Sequence, residues 1–255
     1  MNCKICGHTT SLHFSVRILD KYPADFFVCP QCKFLFAGDA SWLQEAYKNP
    51  INLSDTGLVD RNIYFHKVLS LLIFLLFKRK GKFLDYAGGY GLFTRLMRDT
   101  GFDFFWYDPY CENLLSKGFE FNMGSMDNAE VLTAFEVFEH LENPLPEIEK
   151  MLEYSRNIFF STELLPFPIP EPENFWYYGF DHGQHISFYT AETLSYIAQK
   201  FRLKYYNLGS LHLFCEQNFS LLYLRLLKKG AKFLYPLVKL NMKSRTFEDH
   251  LILKK

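Results

Sequence analysis

The sequence has no surplus of charge. Its 28 lysines and arginines are matched by 28 aspartates and glutamates, so it carries no overall field of the kind that gathers nucleic acid. It has no apolar run of membrane length either. The longest, residues 68–77, falls short of the roughly 20 residues a spanning helix needs and is closed by Lys78-Arg79-Lys80, so it reads as a buried helix. Met1-Asn2-Cys3-Lys4 does not begin a charged-then-apolar leader, and the expectation is a cytoplasmic protein without a transmembrane segment. Internal repeats and low-complexity tracts are lacking, which sets aside solenoids and arrays. Disorder is excluded by a composition 49% hydrophobic and 18% aromatic, with 28 Phe and 16 Tyr, enough to bury a substantial core. A chain of 255 residues then has room for one large domain and a small appendage, since domains usually run to about 100–200 residues.

Cysteine is scarce but concentrated. Four of the six fall in the first 32 residues, as Cys3-x-x-Cys6 and Cys29-x-x-Cys32 with 22 residues between the pairs. Each pair can form a tight turn that aims two sulfurs at one metal, and the residues between make a short ribbon, so the spacing predicts a tetrahedral thiolate zinc site. A reducing compartment disfavours disulfides instead. His8 and His13 are spare ligands nearby, but four cysteines already close the site, which makes the zinc structural.

Beyond a linker near residues 38–50, strand and helix patterns alternate. Residues 81–86 read as a strand running into a glycine-rich turn, 92–99 as a helix, 102–107 as a second strand, Val131–Phe135 as a third, 146–154 as a helix and 157–161 as a strand. A helix over 191–201 with Thr190 as N-cap and strands at 204–206 and 211–216 complete the series. Such alternation implies a mostly parallel, doubly wound α/β sheet.

The densest chemistry lies in Asp85-Tyr86-Ala87-Gly88-Gly89-Tyr90-Gly91, followed 23 residues after Asp85 by Asp108. Glycines at a strand-to-helix turn let a ligand press against backbone, and an acid ending the next strand can accept both hydroxyls of a ribose. A nucleoside-containing cofactor is implied. Thr94 stands where a dinucleotide turn would place its third glycine, and the turn is led by an acid, Asp85. A carboxylate there repels a pyrophosphate and suits a cationic methionine end, which favours S-adenosylmethionine over NAD.

The stretch Leu84-Asp85-Tyr86-Ala87-Gly88-Gly89-Tyr90-Gly91 resembles the first motif of class I methyltransferases, with Ala87 where the usual form has Gly. Thr133-Ala134-Phe135-Glu136-Val137-Phe138-Glu139-His140-Leu141, with Pro144 after it, is similar to the family's fourth-strand segment. The resemblance covers about residues 61–216. It implies a Rossmann-like sheet of seven strands, the last antiparallel. Asp85, Gly89 and Gly91 fall to the cofactor's methionine end, with Tyr86, Ala87 and Gly88 in the same cofactor-binding turn, Asp108 to its ribose, and Phe135 and Glu136 to the cofactor-facing end of the fourth strand. Glu139 and His140 read as a helix-start pair that orients the loop. The domains expected are a zinc module over 1–38, a methyltransferase domain over 39–217 and a basic helical extension over 218–255. Fused to this core, the four-cysteine module is similar to bacterial methyltransferases some of which act on nucleotide-linked deoxysugars. Those carry Tyr-x-Glu-His before an aromatic-rich turn, where this chain has His182-Gly183-Gln184-His185 before Ile186-Ser187-Phe188-Tyr189.

The segment over 163–189 is long for a loop in a compact domain. Pro166, Pro168, Pro170 and Pro172 stiffen it, while Phe175, Trp176, Tyr177, Tyr178 and Phe180 supply rigid surface for a sugar or planar ligand or, equally, a lid packed on the core. His185 is the candidate for the acceptor side, because imidazole removes a proton near neutral pH; His182 and Tyr178 follow, and Glu163 after them. The acceptor expected is a small molecule, a sugar or glycan intermediate, with no nucleic-acid partner. Two alternatives stay open: an RNA methyltransferase gripping nucleic acid through the cysteine module, and a non-catalytic cofactor-binding protein. Against the first, Lys4, Arg17, Lys21 and Lys33 are sparse and partly offset by Asp20 and Asp25, and no Asn/Asp-Pro-Pro-aromatic element follows the fourth strand. Over residues 225–255 nine basic residues face Glu248 and Asp249 alone; this reads as a solvated helix face, or else as a weak contact to a membrane surface.

Overall fold

The computed structural model of the protein describes residues 1–48, 50–52, 55–122 and 128–254. Along the chain come strands β1 (Ser11–Ile18), β2 (Tyr22–Val28) and β3 (Leu35–Ala37), the short helix α1 (Leu43–Ala46), α2 (Leu58–Leu76), β4 (Lys82–Tyr86), α3 (Leu92–Thr100), β5 (Asp103–Tyr107) and β6 (Val131–Phe135). There follow α4 (Pro144–Tyr154), β7 (Ile158–Ser161), β8 (Ser187–Phe188), α5 (Ala191–Lys200), β9 (Lys204–Asn207), β10 (Leu211–Cys215), α6 (Leu221–Asn241) and α7 (Thr246–Leu253). Each strand and helix expected from the periodicity forms within a few residues of its expected bounds. The apolar run at 68–77 is the second half of α2, whose earlier turns are more polar, and no described helix is long and apolar enough to cross a membrane.

The chain divides into two compact units. The first holds Met1–Asn52, Phe135–Lys150 and Phe160–Glu216. Its four-stranded sheet runs β1-β2-β3-β8, antiparallel throughout. The β1–β2 hairpin closes through Leu19 and Asp20, both left-handed (φ 53° and 55°), with the Lys21 N–H donating to the Ile18 carbonyl at 3.0 Å. Two positive φ angles in succession give the turn whose twist matches that of the flanking strands. The fourth strand, β8, comes from the far end of the proline- and aromatic-rich loop. Phe14, Ile18, Phe26 and Leu35 pack in one cluster with Tyr177, Tyr178, Ile186 and Phe188, and the Trp42 indole donates to the Gly183 carbonyl at 2.7 Å. Much of the loop is thus core of the cysteine module, although Trp176 remains 81% exposed. Thr190 caps α5 in a reciprocal box with Thr193, and the Thr193 hydroxyl donates onward to the Cys32 carbonyl at 2.7 Å.

The second unit holds Leu53–Ala134, Met151–Phe159 and Gln217–Lys255. In it β4 pairs in parallel with both β5 and β6, and its last four residues are buried, as a strand covered on both faces requires. Gly91 (φ 82°) starts α3 and Gly101 (φ 117°) ends it in the left-handed conformation that closes a helix without a Cβ clash. Arg98 on α3, almost fully buried, makes a bidentate pair with Asp249 on α7 at 2.7 and 2.9 Å. His66 Nε2 on α2 lies 2.7 Å from the Thr100 hydroxyl and 3.2 Å from that of Tyr235 on α6.

The larger sheet has the strand order β5-β4-β6-β7-β10-β9, and β9 and β10 are antiparallel. Six strands form among the described residues where seven are implied. Beyond the β5 edge the seventh is reduced to one parallel bridge between Trp106 and Glu120, with the Trp106 N–H donating to Phe119 at 2.9 Å and the Phe121 N–H to Trp106 at 2.7 Å. The loop over Asn113 and Ser116 turns back on Gly91, whose carbonyl accepts from the Ser116 hydroxyl at 2.7 Å.

Candidate functional site

The glycine turn leaves β4 at its C-terminal end, the edge at which open α/β sheets bind ligands. Asp85 is fully buried there. Its two oxygens accept from the Thr94 hydroxyl on α3 at 2.9 Å and the Thr133 hydroxyl on β6 at 2.8 Å. Burial raises its pKa to about 7, and those hydroxyls pull against the rise. Ala87 has φ 55°, Gly89 54° and Gly91 82°, so the turn is left-handed at three places, one of them bearing a Cβ. A Cβ on Gly88 would meet Asp85 Oδ2 at 2.7 Å and Trp106 Cδ1 at 2.8 Å, which leaves only glycine at that place. Tyr86 is buried with its ring 5.1 Å from that of Tyr107.

Asp108 ends β5 with its carboxylate anchored by backbone. Oδ1 accepts from the N–H groups of Tyr110 and Cys111, both at 2.8 Å, and Oδ2 from that of Gly89 at 2.9 Å. An ionised carboxylate offers about four acceptor positions. Three are engaged, so Asp108 has room for one further donor rather than the two expected, and its first task is to fix the turn. In the other unit, Phe135 is half-buried at the end of β6, and Glu136 after it is left-handed at φ 52°. The Glu136 N–H donates to the Ser161 oxygen at 2.8 Å, and the Ser161 hydroxyl donates to Glu136 Oε1 at 2.5 Å. A non-glycine residue held in this conformation stores on the order of 1 kcal/mol.

His182 and His185 come together, ring centroids 4.7 Å apart, with His140 5.0 Å from His185. Their tautomers follow from their partners. His185 Nδ1 lies 2.6 Å from the Tyr177 carbonyl and His140 Nδ1 3.0 Å from that of Gln184; each must donate there, which leaves Nε2 as the lone-pair nitrogen. The Gln184 N–H donates to His182 Nδ1 at 3.2 Å, so His182 has the opposite tautomer. Burial lowers the His140 pKa to about 4 and keeps that ring neutral. Beside it, burial first and the charge of Glu136 second raise the fully buried Glu139 to about 8. Tyr178 does not join this cluster. Its ring packs in the cysteine-module core, its hydroxyl donates to the Pro170 carbonyl at 2.8 Å, and burial raises its pKa. Gln184 anchors backbone instead, its amide donating to Ala46 O at 3.0 Å and Pro50 O at 3.3 Å.

The four N-terminal thiols converge as expected. Cys3 and Cys32 sulfurs are 3.5 Å apart, those of Cys6 and Cys29 3.3 Å, and all four lie within 4.8 Å of one another. Tetrahedral zinc thiolates, at about 2.3 Å from the metal, stand about 3.8 Å apart, so the quartet can hold such an ion with shifts of tenths of an ångström. The Ile5 N–H reaches Cys3 Sγ at 3.4 Å and the Cys32 N–H reaches Cys29 Sγ at 3.5 Å.

Three side chains of the candidate sites escape sequence reasoning. Thr133 is one more β-branched residue in a buried strand. Thr94 is legible only as the glycine that is missing, whereas in the fold it holds Asp85. Glu139 passes for a helix-start residue, yet it sits wholly buried in a 3-10 turn; no periodicity marks a carboxyl as unpaired.

Residues 61–207 match the methyltransferase-domain family, more than half of the chain, and the protein belongs to that family. No curated protein matches the sequence. Among solved structures, it is similar to the SAH-bound form of CalO1, a methyltransferase in calicheamicin biosynthesis, at 13% identity over 69% of this chain and 59% of that one, with a TM-score of 0.44. It is also similar to the plantazolicin methyltransferase BpumL in complex with SAH, at 12% identity over 81% and 86%, TM-score 0.49. A third is a possible histamine N-methyltransferase from Thermotoga maritima, at 10% identity over 70% and 97%, TM-score 0.45. The chain spans less than two thirds of the length of the first of these.

Proposed function

We propose that the protein transfers the methyl group of S-adenosylmethionine to a small-molecule acceptor, a sugar or glycan intermediate, and that Cys3, Cys6, Cys29 and Cys32 hold one structural zinc. The observation that carries the first part is Asp85, a carboxyl buried at the mouth of a glycine turn at a cost in ionisation that a cationic ligand would recover. The residues fit the cofactor. Asp85 and the turn of Tyr86, Ala87, Gly88, Gly89 and Gly91 receive the methionine end, Asp108 accepts one ribose hydroxyl, and Phe135 and Glu136 end the neighbouring strand. When bound, the cofactor supplies an electrophilic methyl. What remains for the chain is to orient the acceptor and take its proton. His185 is the group for that side: its Nδ1–H is committed to a backbone carbonyl, so Nε2 is the nitrogen that accepts. Its use as base or as orienting group rests on this tautomer together with the loop that delivers it. The sugar class of acceptor rests on the four-cysteine fusion and the retained His185.

The test incubates zinc-loaded protein with methyl-labelled cofactor and a panel of nucleotide sugars, glycans, small phenols and RNA. Label in a sugar fraction supports the reading. Label in RNA alone would move the protein to nucleic-acid methylation, and cofactor binding with no label in any fraction would make it a binding protein.

A further inference from the structure

Glu139 is the one fully buried carboxylate among the described residues with neither oxygen in hydrogen-bonding geometry to a donor. The nearby Tyr177 and Thr162 hydroxyls pull its raised pKa back down somewhat without supplying such a bond. Leaving a carboxyl in this state costs more than leaving a neutral polar group, so buried examples are paired or bind cations. Two imidazoles stand beside it: Glu139 Oε1 is 4.0 Å from His140 Nε2, and one ligand atom from each of Glu139, His140 and His185 lies within 4.8 Å of the others. The backbone ties the three residues together, since the Ile186 N–H donates to the Glu139 carbonyl at 2.9 Å.

We infer that Glu139, His140 and His185 form a second metal site, for a divalent first-row transition ion, distinct from the cysteine quartet. The imidazoles are arranged as ligands are. Each gives its Nδ1–H to a main-chain carbonyl, of Gln184 and of Tyr177, the outer contact that fixes a metal-binding histidine with its Nε2 lone pair free of the proton. The set of two nitrogens and one carboxylate suits zinc, cobalt, nickel or iron(II) better than magnesium or calcium, which prefer oxygen throughout. Atoms about 2.1 Å from one ion stand about 3–3.4 Å apart, so binding draws the three ligands together by about an ångström. His182, whose Nδ1 accepts from the Gln184 N–H, has its proton on Nε2 and stays outside the set. Three protein ligands leave coordination positions open, which is the arrangement of a reactive rather than a structural site. Resting on the methyl-transfer reading, the ion's use is to bind an acceptor oxygen and make its proton easier to remove; with its Nε2 on the ion, His185 then serves as the orienting group and not as the base.

The experiment adds Co2+ to full-length protein whose cysteine quartet has first been filled with one equivalent of zinc. Cobalt on thiolates gives intense sulfur-to-metal charge transfer, whereas cobalt on nitrogen and oxygen gives only weak visible bands. Wild type should take up one further Co2+ with weak bands alone, and Glu139→Gln and His185→Gln should each weaken that uptake at least tenfold while keeping one zinc per chain. Zinc-loaded wild type that takes up no Co2+, or variants that bind it as wild type does, would overturn the second site. Cobalt uptake with the thiolate signature would instead mean that the quartet had not held its zinc, and that no nitrogen–oxygen site competes for the ion. Failure of the methyl-transfer reading leaves the cobalt result unchanged, so the two are separable.

Discussion

Replacing Asp85 by Asn separates what this residue costs the fold from what it offers a ligand. Burial raises the Asp85 pKa from 3.8 to about 7. A carboxyl whose folded-state value lies above its unfolded value favours the fold when protonated. Its contribution is therefore fully present below about pH 4, is lost as pH rises towards 7, and stays lost above that. A shift of about three units at 1.36 kcal/mol each puts the full loss on the order of 4 kcal/mol, an upper figure because a charged interior group draws in water and relaxes its surroundings. An amide keeps the shape, accepting from one of Thr94 and Thr133 and donating to the other, since both partners are hydroxyls. Asp85→Asn should thus match wild type near pH 4 and exceed it by about 2–4 kcal/mol at pH 8, read by urea unfolding of the protein without cofactor. The same change should weaken S-adenosylmethionine binding by tenfold or more in calorimetry, as loss of a charge-assisted bond worth about 1.5–3 kcal/mol implies. A variant less stable than wild type at pH 8, or one with the same pH dependence, would refute the assignment of burial as the dominant influence on Asp85. Stabilisation with unchanged cofactor affinity would keep the electrostatics and discard the site.

Three further outcomes are expected. Cys29→Ser should lower zinc to well under one per chain by elemental analysis and unfold the β1–β2–β3 module, because structural zinc binding is coupled to folding; full zinc content in the variant would contradict this. Asp108→Ala should weaken cofactor binding by tenfold or more and also loosen the turn, as three backbone N–H groups lose their acceptor; unchanged affinity would remove Asp108 from the site. Asp249→Ala should cost about 3 kcal/mol in denaturant unfolding, the lower end for breaking a buried ion pair, since Arg98 retains Asp103 and the Phe104 carbonyl; a loss under 1 kcal/mol would show that Arg98 finds water.

Local order was legible from the residues alone. The doubly wound alternation, the glycine turn, the Thr190 cap and the thiol quartet depend on neighbours a few positions apart, and period and spacing report such relations directly. The convergence of the four thiols could be read over a longer range only because each Cys-x-x-Cys pair is itself a local turn. What tertiary structure decided is the environment of single atoms. Thr94 and Thr133, nine and 48 positions from Asp85, set its hydrogen bonds, and backbone N–H groups on both sides of β5 occupy most of Asp108. The proline- and aromatic-rich loop gives its last residues to the cysteine-module sheet as β8, which turns Tyr178 from a candidate for chemistry into core. Glu139 owes its raised pKa to desolvation, and desolvation is a property of everything packed around a group rather than of the group's place in the chain. Sequence spacing therefore fixes which residues can meet along one element, while burial and the partners that burial supplies fix the protonation state in which they meet.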